Sequence, residues 1–145
     1  MWVIFEGLDK SGKGTLEWSF LKETNFRHIV IDRGPAGYAT FDSLFGRLTR
    51  KNKDAHARSL SLMRAHPAEF LVVYCKVSTD IAMQRIQEHN ETCPYDYKDA
   101  QSYYDMAIDV LYKEKGINVI EIDTSKPIDE CTQAIVKKVH EMMER

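Results

Sequence analysis

Residues 7–15 read Gly-Leu-Asp-Lys-Ser-Gly-Lys-Gly-Thr and follow the apolar run Trp2-Val3-Ile4-Phe5 after a single residue, Glu6. No other stretch constrains the fold as tightly. Gly7 and Gly12 allow backbone angles and close approaches that a side chain would block. Such a turn points successive N–H groups inward around an anion, and a helix beginning near Lys13 aims its positive dipole end at the same place. Lys13 adds a compact charge that reaches the outer phosphates. The spacing predicts a buried strand, a phosphate-binding loop and a helix, in that order.

The rest of the chain repeats that alternation. Apolar runs at Trp2 to Phe5, His28 to Ile31, Phe70 to Val77 and Asn118 to Ile122 read as buried parallel strands. Helices are expected over Thr15 to Lys22, over Phe41 to Leu48 and over Ala55 to Ala65. Others are expected from a Ser78 cap through Ile86, over Ala100 to Leu111, and after Pro127. The order predicts a three-layer α/β sandwich, with a parallel sheet of about four strands and helices on both faces. A length of 145 residues suits one domain over residues 1–145, with an irregular lid segment at about 87–97.

Composition narrows the setting. The net charge of −2 argues against a nucleic-acid partner, and 43% hydrophobic against 29% charged residues is an ordinary soluble balance. No run approaches the roughly 18 apolar residues of a membrane span. The start has no basic, then apolar, secretory pattern. Three widely spaced cysteines, Cys75, Cys93 and Cys131, suggest reduced thiols, so a cytoplasmic location is expected. His89 and Cys93 have no third ligand nearby for a metal.

Ligands bind such sheets at the carboxyl ends of the strands. That edge is expected to hold the loop and also Asp32-Arg33, which closes the second strand. Asp32 suits a magnesium ion or an acceptor proton, and Arg33 suits a second phosphate group. Gly14 stands where a magnesium-binding hydroxyl is usual, and Thr15 follows one position later. Tyr38 and Phe41 lie where a base could stack, though Phe41 also suits a helix core. Arg47 is the candidate for substrate contact in a basic stretch ending at Arg64, and Tyr97 is a candidate to close over a nucleotide.

The segment Phe5-Glu6-Gly7-Leu8-Asp9-Lys10-Ser11-Gly12-Lys13-Gly14-Thr15 resembles the opening of thymidylate kinases, and its Gly-Lys-Gly-Thr ending is shared with adenylate kinases. Ile31-Asp32-Arg33 resembles the Asp-Arg motif that thymidylate kinases share with deoxynucleoside kinases. Val73 to Ser78 with Ala82 to Ile86, Tyr104 to Leu111, and Ile122 to Ile128 are similar to later parts of the same family.

The resemblance implies a P-loop kinase fold, ATP and Mg2+ as cofactors, and transfer of the γ-phosphoryl group to a deoxynucleoside monophosphate. It implies that Asp9 approaches the acceptor sugar and that Lys10, where one subclass has arginine, supports the transferring group. It further implies that Asp32 organises magnesium or the acceptor, Arg33 holds the acceptor phosphate and Arg85 approaches ATP from the lid. Gly7, Ser11, Gly12, Lys13, Gly14 and Thr15 complete the ATP-binding set, and Thr15 with Asp32 the metal set. A homodimer through the flanking helices is implied too. Only Glu23 to Arg27 separate the first helix from the Asp-Arg strand, where the family has a further strand and helix. The arginine series after Arg85 is also missing. A deoxynucleoside kinase, a polynucleotide 5′-kinase and a non-catalytic nucleotide-binding module remain open as alternatives.

Overall fold

The computed structural model describes residues 1–144. They form four strands, β1 (Trp2–Glu6), β2 (Ile29–Asp32), β3 (Phe70–Lys76) and β4 (Asn118–Asp123). Six α-helices join and follow them: α1 (Lys13–Glu23), α2 (Pro35–Leu44), α3 (Arg50–Ala65), α4 (Thr79–Glu88), α5 (Tyr97–Leu111) and α6 (Ile128–Met143). The strands are all parallel in the order β2-β1-β3-β4. The expected α/β sandwich is what the chain builds.

Strand alternation divides the core in two. Val3, Phe5, Leu71, Val73 and Cys75 pack with Leu16 and Phe20 of α1 and with Cys131, Ile135 and Val139 of α6. Ile4, Val72 and Tyr74 face the other way, onto Ala36, Phe41, Met63, Ala82, Tyr104 and Ile108 from α2 to α5. Leu16, Phe20, Ile108 and Ile135 are completely buried. Each such side chain contributes about 1.5–3 kcal/mol through removal from water.

The register sets up the functional edge. Phe5 pairs with Asp32, and Glu6 pairs with Tyr74. Asp32 therefore ends its strand level with the start of the residue 7–12 loop, and Thr124 leaves β4 beside the same loop.

Helices α2 and α3 depart furthest from the expected bounds, and α5 begins at Tyr97, three residues before Ala100. Helix α2 begins at Pro35, not near Phe41, because Pro35 occupies its first turn, where the ring's fixed φ suits a helix. It ends at Leu44, with Gly46 at φ +66°, so Leu48 falls outside the helix. Helix α3 starts at Arg50 because the Thr49 side chain caps it, accepting from the Asn52 N–H at 3.2 Å. Its polar first turn carries no apolar period to read. No helix among the described residues is long and apolar enough to cross a membrane.

Candidate active site

The loop between β1 and α1 is held open by its backbone. Gly7 (φ +151°) and Gly12 (φ +83°) take angles that favour glycine, and a Cβ at Gly7 would lie 2.7 Å from the Cys75 carbonyl oxygen. Lys10, at φ +64°, shares the left-handed region. Leu16 donates to the Gly12 carbonyl at 3.1 Å, which leaves the N–H groups of Lys13, Gly14 and Thr15 ahead of that bond, outside the helical ladder. These are anion donors at the positive end of the α1 dipole. Residues 8–10 and 12–16, Arg85, Thr124 and Lys126 line a cavity of about 720 Å³ at this edge.

Asp32 faces the loop lysine: its Oδ1 forms an ion pair with Lys13 Nζ. Glu17, one turn along α1, lies against the same carboxylate. Burial and the adjacent Asp32 push the Glu17 carboxyl up to about 7, while Lys13 opposes that rise. Burial also pushes on Asp32, but hydrogen bonds from Lys13 and Glu17 and the charges of Lys13 and Arg33 leave it below the usual carboxylate range. Arg33 has a left-handed φ of +67°. Its guanidinium lies 4.1 Å from the Phe41 ring centroid and 4.0 Å from Asp9 Oδ1. Among the described residues, three buried side-chain atoms lack a hydrogen-bond partner: Ser11 Oγ, Glu17 Oε1 and Arg33 Nε. All three belong to residues at or just behind this edge.

Arg85 secures the loop by its backbone. Its Nη1 donates to the Lys10 carbonyl at 2.8 Å and its Nη2 to the Thr124 carbonyl at 3.1 Å. Thr124 Oγ1 in turn donates to the Ser11 carbonyl. The segment joining α4 to α5, residues 89–96, is tethered across the loop. Lys10 Nζ contacts Glu91 at 2.8 Å, and the Tyr95 hydroxyl donates to Asp9 Oδ2 at 3.2 Å.

Sequence patterns missed the buried centre beneath these groups. Glu6, an acid at the end of an apolar strand, is wholly buried. It accepts from the Gly34 N–H at 2.9 Å, the Gly37 N–H at 3.1 Å, the Tyr104 hydroxyl at 2.8 Å and the Tyr112 hydroxyl at 2.6 Å. Burial pushes its carboxyl up, and these four donors pull it back. A charged residue closing a hydrophobic strand was the available signal. Tyr104 read only as an apolar helix position, Tyr112 fell just past the expected helix, and Glu17 and Glu91 carried no motif.

The other candidates sit variously. Tyr38 is exposed and stacks on His56, which bonds Asp42 at 2.9 Å. Phe41 is buried core whose ring carries Arg33. Tyr97 is buried, with its hydroxyl donating to the Asp9 carbonyl at 3.1 Å. Arg47 is largely exposed, 3.8 Å from Asp42 and stacked over Phe45. Thr15 is exposed at the mouth of the main cavity, and a Cβ at Gly14 would meet nothing within 4 Å. No cluster of three or more His, Cys, Asp or Glu among the described residues could hold a metal alone. Asp32 and Glu17 lie against each other beside Lys13, while Thr15 opens onto the main cavity.

No protein-family model matches the chain, and no curated protein sequence matches it. Solved structures do match its fold. The YorR protein from Bacillus subtilis, in complex with phosphorylated GDP, superposes with a TM-score of 0.76 at 18% identity, over 100% of this chain and 99% of that one. Deoxyadenosine kinase from M. mycoides, with dCMP and a flexible dCDP bound, gives 0.59 at 12% identity, over 97% and 100%. An unliganded sugar kinase from Janibacter gives 0.58 at 15% identity, over 94% and 92%. The fold is thus one that kinases use.

Proposed function

We propose that the protein is an ATP-dependent phosphotransferase that moves the γ-phosphoryl group of ATP to a deoxynucleoside monophosphate, in the manner of a thymidylate kinase. The observation that carries this reading is the meeting of Lys13 with Asp32, beside Arg33 and Asp9, at one sheet edge. A loop that grips polyphosphate thereby faces a strand tip furnished for a second phosphorylated molecule. The fold neighbours that carry nucleotides support the same ligand class.

Phosphoryl transfer asks little covalent work of a protein, so placement and charge carry the catalysis. The N–H groups of the loop and Lys13 take the donor phosphates, which draws Lys13 away from Asp32. Arg33 takes the acceptor phosphate, with Asp9 beside it for the sugar hydroxyl. Lys10 and Arg85 flank the transferring group, Lys10 after release from Glu91. Magnesium supplies charge neutralisation on the phosphates, and Thr15 and Asp32 would hold it, with Glu17 alongside. The main cavity between Arg85 and Lys126 has room for the donor base and sugar.

A nucleoside acceptor with a free 5′-hydroxyl is the second reading. It is favoured by the short connection from α1 to β2, residues 24–28, which leaves no inserted element on that side. Labelled ATP with magnesium, offered nucleosides, monophosphates and a 5′-hydroxyl oligonucleotide in turn, separates the classes. Transfer to a deoxynucleoside monophosphate is the expected outcome. Lys13→Ala should keep its circular dichroism and lose transfer by a factor of about 10² to 10³, the usual cost of one transition-state donor. ATP binding with no transfer to any acceptor, or a Lys13→Ala variant as active as wild type, rejects the proposal.

A further inference from the structure

Glu6 lies wholly buried where the phosphate loop meets the start of α2, and its carboxylate is saturated. Each oxygen accepts two hydrogen bonds: Oε1 from the Gly34 N–H and the Tyr104 hydroxyl, Oε2 from the Gly37 N–H and the Tyr112 hydroxyl. The two tyrosines extend the reach of the carboxylate in opposite directions. Tyr104 Oη accepts from the Gly7 N–H at 2.9 Å, at the mouth of the phosphate loop. Tyr112 Oη accepts from the Ala36 N–H at 3.0 Å, in the first turn of α2. One carboxylate thus ties the start of the loop to three successive donors of the turn behind Arg33.

The surrounding backbone is shaped to this contact. A Cβ at Gly37 would lie 2.7 Å from Glu6 Oε1, and one at Gly34 would lie 2.8 Å from Ile4 Cγ2. Arg33 sits between the two anchors. Its N–H donates to the Phe5 carbonyl at 2.9 Å, and the next residue, Gly34, donates to Glu6. Its left-handed φ of +67° costs an arginine free energy and persists only where neighbours over-determine it. With no acceptor capacity to spare and no path to the cavity, Glu6 is not placed to move a proton.

We propose that Glu6 is a positioning residue that locks the phosphate loop and the first turn of α2 into one unit, fixing the separation between the donor site and Arg33. The inference rests on the reading of those two places as donor and acceptor sites. Near-attack geometry tolerates little error, so a loosened clamp lowers turnover while leaving both substrates bound.

Tyr112→Phe tests this, because Tyr112 touches α2 and Glu6 but not the loop. Two measurements are made on it, with Glu6→Gln as a second variant. In amide hydrogen exchange, loosening the Tyr112 side is expected to speed exchange at Gly7 as well as at Ala36. Gly7 exchanging at the wild-type rate overturns the clamp. In steady-state transfer, kcat is expected to fall about tenfold in Tyr112→Phe and further in Glu6→Gln. Both KM values should stay within about threefold, and the pH dependence of kcat should keep its midpoints. An unchanged kcat, a loss expressed only in KM, or a displaced pH midpoint overturns the positioning role. A wild-type protein that transfers phosphate to no acceptor rejects the kinase reading, and the exchange measurement still decides the clamp.

Discussion

Single side chains at the sheet edge carry opposed charges that the fold holds close. Lys13, Asp32 and Glu17 form a chain in which one cation serves two carboxylates. The Glu17 carboxyl, pushed up to about 7 from an ordinary 4.5, takes up a proton in the folded state that the unfolded state releases. Its contribution to stability is therefore complete below the lower value and is lost as the pH rises through the upper one. Asp32 acts in the opposite sense, with a contribution that fades only as the pH falls below its ordinary value. Glu17 should by itself lower the melting temperature of the ligand-free protein between about pH 5 and pH 7.5, against the opposite contribution of His28, whose imidazole is pushed below its usual range by burial. Glu17→Gln, which cannot ionise, should flatten that decline. Parallel profiles for the two proteins, measured by calorimetry, would remove Glu17 as the cause.

At the scale of elements, the segment 89–96 lies across the loop through contacts that a nucleotide must compete with. Lys10 is paired with Glu91, and both side chains keep solvent contact, at 25% and 50% exposure. Such pairs are worth about 0–1 kcal/mol, so the tether is weak enough to exchange for a phosphate. Glu91→Gln should free Lys10 and tighten ATP binding by up to about fivefold, the affinity equivalent of that range. The gain should shrink in high salt. Calorimetric titration checks this, and weaker binding in Glu91→Gln would show Glu91 assisting the nucleotide. The Tyr95 bond to Asp9 is a second tether of the same segment, while Tyr97 is fixed in the core below it.

Across the whole molecule, the two cores lie on opposite faces of one sheet whose carboxyl edge holds the loop, the Asp32-Arg33 tip and Thr124. A ligand at that edge touches elements from both layers: α1 on one side, and α4 with the β4–α6 turn across the cavity. Binding should therefore stabilise the fold cooperatively. At a hundredfold excess of ATP over its Kd, linkage adds about 2.7 kcal/mol, which for a chain of this size raises the melting temperature by roughly 5–10 °C. Differential scanning fluorimetry with magnesium and ATP, against adenosine alone, measures it. An equal shift from adenosine would place the binding energy in the base and not in the phosphates.

The strand–loop–helix opening and the four parallel strands were legible in residue order, because local periodicity and glycine placement dictate them, and the placing of Asp32-Arg33 at the loop's edge followed from the rule that such sheets bind ligands at their carboxyl ends. Helix ends were less so. Pro35 and Thr49 start α2 and α3 through terminal chemistry that the apolar pattern of their interiors does not carry. Only the tertiary structure decided the rest. Glu6 meets Tyr104 and Tyr112 across about a hundred residues of chain, and Glu17 reaches Asp32 only because β2 lies beside β1. A sequence shows which groups can ionise or donate. Which of them lose their water and face one another depends on how distant segments pack, and that packing set the charge, the strain at Arg33 and the spacing of the site.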